Sequence, residues 1–265
     1  MIARQSRHHT AGAPRPTGRG AFTLVELLVV IAVLAMLIAI LLPALGRSIG
    51  AARQFRCQVS LRSIGFDFSI FADDTLHGDR GNDQRELGDR FRLETFQESQ
   101  YGADEFWRWG DETNSHSLPD TDGNNPMRCS EVGGILTVRR GVPCRNGAIG
   151  PADAVSFGFN GRLDRAPFRG SNRWMPVTLT SQISEQSMVP LAWDVDGAKA
   201  KRNGVEPIFS APALDARSGP FADGRYWFPA MRHNGSANVL FLDQHVESSP
   251  RPLQESWDWS YLPTR

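Results

Sequence analysis

Catalytic signatures are missing from this chain. It has no G-x-x-x-x-G-K-[ST], no H-E-x-x-H and no S-x-x-K, so phosphate-loop and zinc-protease chemistries have no footing. No enzyme is expected. Cysteine is scarce: Cys57, Cys129 and Cys144 are the three, and none is paired in the C-x-x-C spacing of a zinc site. No internal repeat of fixed period occurs, which sets solenoids aside. Net charge is formally zero, but residues 1–21 hold Arg4, Arg7, Arg15 and Arg19 and no acid. Without those four the 29 basic residues fall to 25 against 29 acidic, a net charge of −4. A mildly acidic body argues against nucleic acid as the partner.

What the chain does have is one long apolar run. Phe22–Leu42, FTLVELLVVIAVLAMLIAILL, carries a single charge, Glu26, and is closed by Pro43. As a helix those residues span roughly 30 Å, the thickness of a bilayer's hydrocarbon core. A carboxylate there costs on the order of 3 kcal/mol and asks for a partner or a function. A cleaved secretory signal fits poorly, because its apolar region would be shorter, about 7–15 residues, with a small-x-small site after it. An ordinary signal anchor explains the length and leaves Glu26 without a reason.

The segment GRGAFTLVELLVVIAVLAMLIAILLPALG resembles the amino terminus of type IV prepilins and type II secretion pseudopilins. The resemblance implies that Ala21 is the last leader residue, Phe22 the mature and N-methylated amino terminus, and Glu26 the fifth mature residue. Pro43 falls on the family's helix-kinking proline. The residue before the cut is usually Gly. Cutting after Gly20 restores it but shifts Glu26 by one, so Ala21/Phe22 is the preferred cut. The family implies that Glu26 pairs with the charged Phe22 amine of a neighbouring subunit in an apolar filament core. That is physically reasonable, because each buried charge is costly alone and tolerated when matched. The implied partners are a prepilin peptidase/N-methyltransferase, other pilin or pseudopilin subunits, an inner-membrane assembly platform and membrane lipid. No cofactor is expected.

Arginines flank both ends of the run, Arg47, Arg53, Arg56 and Arg62 following it, so the positive-inside count is nearly balanced. Orientation therefore rests on the resemblance: a single-pass inner-membrane protein with its amino terminus cytoplasmic and its domain periplasmic, later in a pseudopilus or at the cell surface. There the cysteines would meet an oxidising compartment. One disulfide and one free thiol is the simplest count. Cys129–Cys144 would close a local loop, and Cys57–Cys129 would tie the long helix to the domain.

The expected organisation is a leader at 1–21, a membrane or filament-core helix at 22–43, its continuation at 44–73, and a globular domain at 74–265. The fold class is α+β, a long helix packed on a small, loop-rich antiparallel sheet. Phe22 to about Asp73 is predicted as one helix bent at Pro43. Cys57, Leu61, Ile64, Phe68 and Phe71 form an apolar stripe at helical spacing, while Arg53, Arg56 and Arg62 lie mostly off it. Gly46 and Gly50 suit either close helix approach or a flexible juncture. Predicted strands are 135–139, 155–160, 188–194 and 238–242.

CQVSLRSIGFDFSIFADD adds to the resemblance. It is similar to the Cys-x-x-x-Leu-Arg-x-Ile-Gly segment of a large bacterial group of prepilin-like proteins, which also carry a His, nine residues, then Asp-Gly near the carboxy terminus. Here His233 is followed after nine residues by Asp243, then by Gln244 in place of Gly. His233, Asp243 and His245 could tempt a metal or acid–base reading. We read them instead as structural: a strand at 238–242, a two-residue turn Asp243-Gln244, and a return strand at 245–247. Such a turn favours Gly because both central residues need positive φ, so Gln244 implies strain or a different turn.

Asp120 to Asn125 and Asp194-Val195-Asp196-Gly197 place oxygens at alternate positions ahead of a Gly, as calcium loops do, without the distal Glu of an EF-hand. They are read as solvated turns, with a structural calcium as the alternative. Trp107 with Trp109, and Trp257 with Trp259, are spaced to share one strand face and could stack on sugars. Burial under loops is the simpler reading. Two functions follow: a filament subunit, or a pilin-like anchor displaying a polysaccharide- or protein-binding module at the cell surface.

Overall fold

In the computed structural model the described residues are 23–73, 75–76, 89–101, 115–117, 128–134, 136–139, 148–150, 152–167, 174–205, 207, 209–212, 221–222, 225–261 and 263. The chain divides into two compact units, Met1–Arg47 and Ser48–Arg265. Helix α1, Leu24–Ala72, contributes to both. It continues through Pro43, although proline has no N–H to donate to the preceding turn.

The first unit is helical from Leu24. Its large apolar side chains from Leu24 to Leu42 are 46–79% exposed. A helix that is apolar all round is a membrane span or a buried core element, and this is the one helix among the described residues long and apolar enough to cross a membrane.

The second unit is α+β. Helix α2 is Leu93–Tyr101, and two short helices follow, α3 at Gly161–Asp164 and α4 at Gly197–Arg202. The strands in chain order are β1 (Ser115–Ser117), β2 (Thr137–Arg139), β3 (Ala148–Gly150) and β4 (Phe157–Asn160), then β5 (Arg165–Pro167), β6 (Trp174–Pro176), β7 (Pro190–Asp194) and β8 (Phe209–Ser210). The last four are β9 (Phe221–Ala222), β10 (Arg225–Tyr226), β11 (Ala237–Phe241) and β12 (Val246–Ser249). The main sheet runs β12-β11-β7-β4-β8 and is antiparallel apart from the β4/β8 pair. The strands predicted at 155–160, 188–194 and 238–242 are β4, β7 and β11. They are buried on both faces, so they read as apolar runs rather than alternating ones.

Every residue of the predicted stripe on α1 is buried: Cys57, Leu61, Ile64, Phe68 and Phe71. Phe68 and Phe71 meet Phe91 and Phe96 edge-on or tilted, with ring centroids 5.2–5.9 Å apart. Leu240 and Asn238 of β11 face the same helix, Leu240 beside Gly65 and Asn238 within 3.4 Å of Gln58. On the other face, Trp193 of β7 packs against Trp227 and Trp259 at 5.1 and 5.0 Å. The sheet thus separates a phenylalanine layer under α1 from a tryptophan layer under the carboxy-terminal segment.

Asp67 sits at the rim of the α1 layer, and partial burial raises its carboxyl pKa above the usual aspartate range. Burial, with the Asp67 charge as a smaller cause, also raises the Tyr101 phenol. A raised acid pKa means the folded state holds the proton more tightly than the unfolded chain. Stability is then greatest below the unfolded pKa and falls as pH rises through the folded one. Asp67→Asn is therefore expected to raise Tm at pH 7 and to leave it unchanged near pH 3, a comparison two thermal melts make.

Candidate functional site

The start of α1 is a reciprocal cap. Thr23 precedes the first helical residue, and its Oγ1 accepts from the Glu26 backbone N–H at 3.2 Å. Glu26 Oε2 in turn accepts from the Thr23 N–H and the Thr23 hydroxyl, both at 2.8 Å. This is the Thr-x-x-Glu capping box, which satisfies amide groups that a helix start leaves unpaired. Glu26 thus has a partner within its own chain, a role that the Thr23 and Glu26 spacing displayed and the sequence reading passed over. Gly20, Ala21 and Phe22, where processing is expected, lie outside the described residues.

The carboxy-terminal motif does not converge on one point. His233 precedes β11 and Asp243 follows it. His233 is buried, with Nε2 3.6 Å from Cys129 Sγ and 3.5 Å from Asp194 Oδ2. Its Nδ1 lies 3.3 Å from Glu131 Oε2, within ion-pair reach but outside hydrogen-bond geometry. Asp194 is fully buried; its Oδ2 accepts the Asn238 N–H at 2.8 Å and its Oδ1 faces Arg232 at 3.5 Å. At the far end of β11, His245 stacks on Phe241 with ring centroids 4.2 Å apart. Its Nδ1 contacts Asp243, and its Nε2 is 3.3 Å from Glu247 Oε1.

The turn differs from the two-residue form, as Gln244 in place of Gly allowed. Phe241 N–H donates to the His245 carbonyl and Gln244 N–H to the Phe241 carbonyl, each at 3.0 Å. Leu242, Asp243 and Gln244 therefore form a three-residue connection, with Gln244 at φ +74°. A two-residue turn of the favoured kind would place two L-residues at positive φ, whereas this one places only Gln244 there. The turn also rests on α1. A Cβ built on Gly65 would stand 2.8 Å from Leu240 Cδ1, 3.2 Å from Gln244 Cα and 3.4 Å from Gln244 Cβ. The Gly of the Leu-Arg-x-Ile-Gly segment is what lets the hairpin tip touch the helix.

Gly65→Ala is accordingly expected to cost about 1–3 kcal/mol by overpacking. Gln244→Gly should relieve roughly 1 kcal/mol of positive-φ strain, partly offset by glycine's extra freedom in the unfolded chain. Urea titrations of both variants check the pair. A neutral Gly65→Ala would mean that the helix and the turn are not in contact.

Cys57 and Cys129 form the disulfide, with Cα atoms 5.0 Å apart, so the tie runs from α1 to the domain rather than around a local Cys129–Cys144 loop. Cys144 lies outside the described residues. Trp257 and Trp259 are buried, their Nε1 atoms donating to Glu247 and to the Pro252 carbonyl at 3.0 Å. They are core residues and offer no face to a sugar; Trp107 and Trp109 lie outside the described residues. Asp196 caps α4 by accepting from Lys199 N–H at 2.8 Å, and with Asp194 buried the two carboxylates serve different elements. The 120–125 stretch is outside the described residues. Gly46 has nothing within 4 Å of a built Cβ, and Gly50 meets only Asn234 at 3.8 Å.

The profile of the prokaryotic N-terminal methylation motif matches residues 17–42. That span includes the capping box and the apolar run, and with the long apolar helix it supports a type IV pilin-like protein, processed as a prepilin and anchored in a membrane. No curated protein and no solved structure matches the chain.

Proposed function

We propose that this chain is a structural subunit of a type II secretion pseudopilus or type IV pilus-related filament. A prepilin peptidase cuts it between Ala21 and Phe22 and methylates the new amine. The observation that carries this reading is the methylation motif at 17–42, whose large apolar side chains from Leu24 to Leu42 are exposed on every side of the helix. Lipid covers them before assembly and neighbouring helices afterwards. Farther along α1, Phe55, Val59 and Phe66 are also exposed, extending an apolar surface beyond the membrane run for subunits to share. The display reading asks for open tryptophan faces, and Trp257 and Trp259 are buried.

Mass spectrometry of the mature protein, made with and without the peptidase, tests the reading. A chain beginning at N-methylated Phe22 is expected when the peptidase is present, and the intact leader when it is absent. A leader retained in both, or a mature chain starting at Ala21, would refute the proposed cut.

A further inference from the structure

We propose that Cys57, Cys129 and His233 bind a zinc-like divalent cation when the Cys57–Cys129 bond is open. The link between α1 and the domain could then be made either by a disulfide or by a metal.

The three donor atoms already lie within 4.8 Å of one another, and all three residues are buried. A tetrahedral zinc with Zn–S near 2.3 Å and Zn–N near 2.0–2.1 Å sets its sulfur and nitrogen ligands about 3.5 Å apart. Cys129 Sγ and His233 Nε2 are 3.6 Å apart. Once the bond is cut the sulfurs separate to nonbonded contact, the spacing a metal needs between two thiolates. Asp194 Oδ2, 3.5 Å from the same His233 nitrogen, is the candidate for the fourth position.

The surroundings of the histidine strengthen the case. Metal-bound histidines commonly direct their second nitrogen at a carboxylate, which fixes the ring and its tautomer. Here Nε2 faces the sulfurs while Nδ1 faces Glu131 Oε2 at 3.3 Å. Nδ1 is buried and makes no hydrogen bond among the described residues. Glu131 also lines an open hollow with Ile49, Ala52, Arg53, Arg56 and Ser130, so the carboxylate beside the histidine borders solvent. Two thiolates and a neutral imidazole cancel the charge of a divalent cation, and the Asp194 carboxylate at the fourth position is faced by Arg232 at 3.5 Å, so burial meets no unmatched ion.

The chemistry balances. A dithiol reductant passes two electrons and two protons to the Cys57–Cys129 bond and closes to its own disulfide, leaving two thiols. The cation then displaces both protons to solvent as it binds the thiolates. An oxidised partner disulfide reverses the exchange and releases the metal.

The test uses the full chain in detergent, reduced with a dithiol, freed of reductant without air, and titrated with cobalt(II). One cobalt per chain is expected, with sulfur-to-cobalt charge-transfer absorption and the visible bands of a four-coordinate ion. The oxidised chain should bind none, and Cys144→Ser should behave as wild type. Glu131→Gln should weaken binding about 10–100-fold while keeping the spectrum. His233→Ala should weaken binding and alter the visible bands. The oxidised-versus-reduced comparison needs no variant, so a misfolded mutant cannot blur it. Reduced wild-type chain that binds no cobalt, or binding that survives Cys57→Ser or requires Cys144, would overturn the proposal.

Discussion

Chains carrying Glu26→Ala are expected to enter the membrane at least as well as wild type and to be missing from assembled filaments. Removing the carboxylate spares an insertion cost on the order of 3 kcal/mol. It also breaks the capping box with Thr23, a loss of about 1 kcal/mol confined to the first turn. Two companion variants separate those effects. Thr23→Ala removes the cap and keeps the charge, and should still assemble. Glu26→Gln keeps a capping side chain and removes the charge, and should fail as Glu26→Ala does. The readout is the fraction of chain recovered in sheared filaments against that left in membranes. If Glu26→Ala and Glu26→Gln both assemble, pairing between Glu26 and a neighbour's amine is wrong. If Thr23→Ala fails with them, the cap is what assembly needs.

Cys57→Ser and Cys129→Ser are expected to lower domain stability by about 4 kcal/mol, the chain-entropy value for a loop of this size. The cross-link joins residues 72 apart in sequence. The bond is buried under α1, so a serine hydroxyl there also lacks a ready partner. Cys144→Ser should change stability little. Urea unfolding of the three variants, beside wild type with and without a dithiol, measures the differences. Reduced wild type should fall close to the two destabilised variants. Equal loss in Cys144→Ser would show that the tie is shared or mispaired.

Helical periodicity was legible wherever the chain neighbours supplied it. Cys57, Leu61, Ile64, Phe68 and Phe71 were spaced to share a face, and that face is buried. Three of the five main-sheet strands were found because β4, β7 and β11 are short apolar runs between turn residues. The capping box was equally local. It went unread because Glu26 was weighed only as a charge in an apolar run, and not as the residue three positions after Thr23.

Other features depended on contacts that no local pattern encodes. Gln244 was seen to need positive φ, but the turn's length depended on confining that conformation to one residue. The approach of Gly65 to Gln244 depends on how α1 is rotated over β11. The same rotation sets Cys57 against Cys129 rather than leaving Cys129 to Cys144, and the register of β7 with β11 puts Asp194 beside His233. Trp257 and Trp259 share a spacing that suits an exposed face, yet they close the tryptophan layer beneath the sheet.

The sequence by itself determined the membrane-length helix, its methylation motif, its buried stripe and the α+β class, because each is carried by composition or by spacing within a few turns. Only the tertiary structure decided the disulfide partner, the separation of His233 from Asp243 and His245, and the His233–cysteine cluster. Those are matters of sheet register and helix rotation, in which residues 72 or 104 apart become neighbours through the packing of everything between them.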